Sequence, residues 1–187
     1  GTRLENNIST LILEAQGGNT VAFHKLVSYH DERVMTLALQ LTRDKQDAED
    51  LYQEVFIKAY KAIGSFRLES EFFTWLYRIT VNSFYNLQRK ASRIQQQESL
   101  VPEKDLTHEI ADDSIPSAAN EEIQHAVTNA LNQLPTQQKT AFVMKHYEGL
   151  KIREIATIMN LSDGTVKRYL FRAIEKLRPM LQEYRYA

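Results

Sequence analysis

From Glu71 to Lys90 apolar residues recur every three or four positions, and no stretch of the chain keeps the two-residue alternation of a strand. One stripe of this segment reads Trp75, Arg78, Asn82, Tyr85 and Arg89, and a second face carries Phe72, Leu76, Ile79 and Leu87. The second face is apolar enough to bury against a bundle. The first mixes rings, cations and an amide, the groups that stack on and hydrogen-bond to unpaired bases. On spacing alone the stripe reads more readily as an ordinary amphipathic helix, with Trp75 and Tyr85 in the core.

The same period runs through the chain before it. Ile8, Leu11, Ile12 and Ala15 mark a first helix over 4–16, stopped at Gly17-Gly18, after which Asn19 or Thr20 can cap the next. Phe23, Leu26, Val27 and His30 predict a second helix, and Val34, Leu37, Ala38 and Leu41 a third. Asp44–Asp47 caps a further helix in which Leu51, Val55, Ala59 and Ile63 step by four until Gly64. This half reads as an α-helical bundle.

Residues 91–117 lose the pattern: three glutamines, scattered serines, Pro102, Pro116 and many acids leave no sustained apolar face. The composition predicts a flexible linker. From Arg93 to Glu122 eight acids face two bases, a net charge of −6; from Lys139 onward ten bases face five acids, a net charge of +5. An overall charge of −1 therefore hides an acidic middle and a basic end, compatible with nucleic-acid binding.

Beyond the linker, Ile123, Val127, Ala130, Leu131 and Leu134 form a helix halted at Pro135, and 136–148 forms another that ends before Gly149. Two short helices follow, 151–159 and 163 to about 177, joined by Asn160-Leu161-Ser162, which is the outline of a helix-turn-helix. Ile155, Ala156, Met159, Val166 and Leu170 supply its small core. Lys167, Arg168, Phe171 and Arg172 share an outward arc of the second helix, suited to phosphates, base edges and thymine methyls. A solvated basic face is the competing explanation of that arc.

Enzymatic chemistry finds no footing. Without cysteine there is neither thiolate nor disulfide, the five histidines lack metal-ligand spacing, and no phosphate-cradling glycine loop or nucleophile elbow is present. Asp112-Asp113 sit in the linker, without a rigid scaffold to set their pKa values. The expectation is a non-enzyme needing no cofactor and no metal. No apolar run reaches the roughly 20 residues that span a bilayer, and no signal-peptide pattern appears, so a cytoplasmic protein is expected.

AEDLYQEVFIKAYKAIGSF followed by FFTWLYRITVN resembles the promoter-melting domain of bacterial sigma factors, in the extracytoplasmic-function (ECF) group. LPTQQKTAFVMKHYEGLKIREIATIMNLSDGTVKRYLFRAIEKL resembles that group's C-terminal domain. The resemblance implies an all-α chain: a region 2-like domain over 1–92, a linker over 93–117 and a region 4-like helix-turn-helix domain over 118–187. It implies core RNA polymerase (β′ and β subunits) and promoter DNA as partners. It also implies an anti-sigma factor, of which membrane-anchored kinds exist.

Laid onto this sequence, the resemblance makes Asp47, Asp50, Leu51, Gln53, Glu54 and Ile57 the polymerase-docking face. Phe66, Arg67, Trp75, Arg78, Asn82, Tyr85, Arg89 and Lys90 become the contacts to the −10 strand and its backbone. Thr165, Lys167, Arg168, Phe171 and Arg172 become the readers of the −35 element. Leu68-Glu69 departs from the small residues of many relatives in the loop that shapes the base pocket. Lys151 replaces a common serine cap, and Phe73 a commonly small residue. The competing readings are a helix-turn-helix regulator whose N-terminal bundle senses or dimerises, and an adaptor that binds only protein.

Overall fold

The computed structural model describes residues 2–97 and 118–185. Among them the secondary structure is helical throughout, in the order α1 (Thr2–Gln16), α2 (Thr20–Thr42), α3 (Lys45–Ala62), α4 (Phe72–Gln97), α5 (Ala118–Asn132), α6 (Thr136–His146), α7 (Ile152–Met159) and α8 (Asp163–Met180). Short 3-10 turns follow α3 and α8. The segment expected to be a flexible linker lies, past Gln97, outside the described residues.

Local chemistry explains the helix ends. Gly18 takes φ +95°, where a side chain would be strained, and the Asn19 side chain then accepts from the Ala22 N–H to start α2. The Asp44 carboxylate accepts from the Asp47 N–H and caps α3. Where two helices are expected between Phe23 and Leu41, the structure has one. Asp31-Glu32-Arg33 contains no breaker, and Ala22, Leu26, Val34, Leu37 and Leu41 stay on one buried face. Arg43, at φ 53°, finally ends α2.

In the N-terminal half, α1 packs on α2, and α2 on both α3 and α4. Leu26, Val34, Leu37, Leu41, Leu51 and Val55 lie at its centre without exposure. Leu51, expected on the polymerase-docking face, is wholly buried instead and holds α3 onto the bundle. A Leu51→Ala substitution is therefore expected to destabilise the protein by ~2–5 kcal/mol in denaturant melts, leaving the exposed side chains of α3 in place.

Helix α4 departs from its expected partition. Its buried residues are Phe72, Thr74, Leu76, Tyr77, Thr80, Val81, Ser83 and Phe84, while Ile79 and Leu87 are half-buried. It is covered on more than one side because α6 and α7 pack against it, as do α2 and α3. It also continues to Gln97, five residues beyond the boundary expected at 92.

The C-terminal half is built on α8, whose Val166, Leu170, Ala173 and Leu177 are buried against its neighbours. Lys151 cannot accept a cap bond at the start of α7, and Glu154 supplies one by accepting from the Lys151 N–H at 3.0 Å. Asn160, at φ 55°, makes the tight turn, and Ser162 caps α8 by accepting from the Thr165 N–H.

Candidate nucleic-acid and partner interfaces

The short turn Ile63–Ser65 delivers the chain to Phe66, which is extended and 6% exposed. The Phe66 ring packs on Phe72 at 5.7 Å and on Trp75 at 5.0 Å, and His30 meets Phe72 edge-on at 4.9 Å behind them. Burial pushes the His30 pKa down, although its hydrogen bond to the Leu26 carbonyl pulls the other way. This aromatic floor opens into a pocket of about 350 Å³ lined by Ser65, Phe66, Arg67, Glu69, Ser70, Trp75 and Arg78. Trp75 thus packs in the bundle and faces the pocket as well.

The expected −10 residues are shared between two cavities and the exposed face of α4. Phe66, Arg67, Trp75 and Arg78 come together at the pocket. Asn82 is exposed on α4 one turn beyond Arg78, and Lys90 is exposed farther along. Tyr85 and Arg89 instead line a second cavity of about 440 Å³, between α4 and the start of α6. Burial raises the Tyr85 pKa there. Glu69, noted in the sequence as a departure in this loop, lines the pocket, and so do Ser65 and Ser70, which the sequence does not single out; as exposed polar loop residues those two carry no signal beyond their proximity to Phe66.

On α3, Asp47, Asp50, Gln53 and Ile57 are exposed, and Ile57 reaches 55%. Glu54 is half-buried and pairs with Lys58 at 2.7 Å. Tyr60, 52% exposed, extends the apolar patch and rests edge-on against Phe23. An apolar centre rimmed by acids is the composition of a protein-docking surface.

On α8, Lys167, Arg168, Phe171 and Arg172 all face outward, Phe171 with 64% exposure, and Thr165 is half-buried beside the cap. This is the outward arc expected of a recognition helix.

The two halves also touch. The Tyr77 hydroxyl donates to Glu148 at 3.0 Å, and the Arg78 guanidinium donates to the Thr157 carbonyl at the end of α7 at 2.8 Å. Arg43 donates to the Thr128 hydroxyl and lies 5.6 Å from the Tyr147 ring. Lys139, only 5% exposed, donates to Asn132 and sits 5.5 Å from the Phe84 ring. Burial, then the nearby Arg43 charge, brings the Lys139 pKa down to about 8. Arg78 therefore borders the pocket while tied to the other half.

A helix-turn-helix with an exposed basic arc, joined to a bundle holding an aromatic pocket, defines a two-part DNA-binding transcription factor. The Sigma-70 region 2 family matches residues 26–94, and the Sigma-70 region 4 family matches residues 124–177. The chain is 36% identical to the RNA polymerase sigma-H factor of Pseudomonas aeruginosa, over 92% of this chain and 95% of that protein. It is also 36% identical to the ECF RNA polymerase sigma-E factor of Haemophilus influenzae, over 92% and 94%. Among solved structures, it matches the sigma factor RpoE of Bartonella quintana, crystallised with the anti-sigma factor NepR. The TM-score is 0.68 and the identity 26%, over 86% of this chain and 96% of that one. The chain belongs to the ECF sigma factors of the sigma-70 family.

Proposed function

We propose that this ECF sigma factor divides promoter recognition among the three surfaces just described. The exposed part of the α3 face, Asp47, Asp50, Gln53 and Ile57 with Glu54 at its edge, docks on the β′ subunit of core RNA polymerase. The pocket of Phe66, Arg67, Trp75 and Arg78 receives an unstacked base of the −10 non-template strand, with Asn82 reading beside it. Arg89 and Lys90 meet the backbone once the halves part. Lys167, Arg168, Phe171 and Arg172, with Thr165 near the cap, read the −35 element.

The pocket carries this reading. Unstacking a base costs a few kcal/mol, and stacking on an aromatic surface returns about 1–3 kcal/mol per base. A preformed ring floor with two bordering arginines is suited to that exchange. Bond making is left to the polymerase, so the chain works as a specificity subunit and not as an enzyme. Among the described residues no helix is long and apolar enough to cross a membrane, and the working compartment on this reading is the cytoplasm. An anti-sigma factor, as bound by the Bartonella protein, is the partner expected to hold the chain inactive.

Transcription by core polymerase on a promoter library randomised over the −10 and −35 elements tests the reading. Added protein is expected to produce initiation at a defined subset of sequences. A helix-turn-helix regulator with a sensing bundle would give none, and that result would sink the assignment.

A further inference from the structure

We propose that Gln16, at the end of α1, is the positioning residue that sets the mouth of the base pocket. The inference rests on the strand-capture reading of that pocket. The Gln16 side-chain N–H2 donates to the Ile63 carbonyl at 3.0 Å and to the Phe66 carbonyl at 2.8 Å. These acceptors bracket the 3-10 turn that leads into the pocket. The Ile63 carbonyl also accepts from the Phe66 N–H at 3.1 Å, so one turn and one side chain fix the same peptide plane.

The consequence reaches the pocket through backbone direction. Phe66 leaves the turn at φ −64°, ψ 124°, and its carbonyl orientation sets where Arg67 starts. Arg67, Leu68, Glu69 and Ser70 are exposed, and among the described residues no hydrogen bond ties any of the four to another element. The Gln16 pair ties the start of this lip to another helix. Both protons of one amide are used, so the geometry demands a two-proton donor of glutamine's reach. A glutamate of the same shape donates nothing and sets a negative charge against two carbonyl oxygens. Alanine leaves the two carbonyls to water. Lysine offers three donors at similar reach, and its charge suits a helix C-terminus.

The lip borders the base, so loosening it widens the set of bases accepted more than it weakens polymerase docking or −35 reading. The test uses Gln16→Ala, Gln16→Glu and Gln16→Lys holoenzymes on a library randomised over the −10 element, with Phe66→Ala as reference. Gln16→Ala and Gln16→Glu are expected to narrow the spread between preferred and disfavoured −10 sequences about tenfold, the scale of one net hydrogen bond. Discrimination among −35 sequences stays at its parental level, and Gln16→Lys restores the −10 spread. A merely structural role would lower all promoters together and follow melting temperature, which is measured alongside; that result overturns the inference. If both donor-less variants keep the parental spread while Phe66→Ala loses it, Gln16 plays no positioning part and the pocket reading stands. If Phe66→Ala keeps the spread as well, the pocket reading falls and takes the inference with it.

Discussion

Cross-linking the two halves across the α4–α6 cavity is expected to abolish promoter-dependent transcription, and cleaving the cross-link to restore it. Gln88 and Gln137 line that cavity from opposite sides, and the chain has no native cysteine to compete. A Gln88→Cys/Gln137→Cys protein joined by a cleavable bismaleimide keeps α4 against α6. Elements centred near −10 and −35 lie ~25 base pairs apart, or ~85 Å of B-form DNA at ~3.4 Å per pair. In the closed arrangement α4, α7 and α8 pack in succession. Packed helices stand about 8–10 Å apart, which places the recognition helix only ~20 Å from α4. One molecule cannot reach both elements in that state, and geometry that forbids simultaneous engagement removes the avidity of two linked sites. The uncross-linked double variant should initiate normally. Full activity of the cross-linked form would show that the halves need not part.

The interface has the chemistry of a contact that can open. Arg43 and Lys139 are each 5% exposed, and among the described residues neither is within 4 Å of a carboxylate. Burial raises the Glu148 pKa, while the Tyr77 hydroxyl and Arg33 pull it down, and burial raises the Tyr77 pKa too. Desolvated charges without ion-pair partners cost several kcal/mol each, and separation returns them to water. The single apolar core that residues of both halves share opposes this, so the closed state rests on a small difference between large opposing free energies.

What the sequence reveals and what it hides follow from the range of each interaction. The helices, their caps at Asn19, Asp44 and Ser162, and the outward arc of α8 depend on residues a few positions apart, and periodicity exposes them. The docking motif places Leu51 on the surface, whereas its four-residue step with Val55 and Ala59 already puts it inside. Tyr77, Val81 and Phe84 also step by four and three, but a period shows only that a face can be buried, and α4 buries this face as well as that of Phe72 and Leu76 because elements distant in sequence pack on it from several sides. Gln16 is 47 residues from Ile63 and 50 from Phe66, so its two bonds leave no trace in spacing. The aromatic stripe is ambiguous in sequence for a related reason. Trp75 packs and lines a pocket at once, and Tyr85 belongs to a different cavity from Arg78.

Replacing Lys167 and Arg172 with alanine is expected to lower affinity of the holoenzyme for its −35 element sharply, with little change in fold stability. Both side chains stand on the exposed arc of α8, opposite Val166, Leu170 and Ala173. Surface changes of this kind usually alter stability by no more than ~0.5 kcal/mol. A bidentate base contact contributes about 1–3 kcal/mol of discrimination, or roughly fivefold to more than a hundredfold per residue. The two single variants separate base reading from phosphate anchoring. Loss of a base contact relaxes preference at one position of the −35 element. Loss of a phosphate contact weakens all sequences alike and lowers the salt slope by about one. Arg168, next in the chain and also exposed, is the third cation of the arc, and its alanine variant is compared with these two. Unchanged −35 footprints in both single variants would refute the assignment of α8 as the recognition helix. Such a result would leave Phe171, 64% exposed amid these cations, as an apolar surface for a protein partner instead of a thymine methyl.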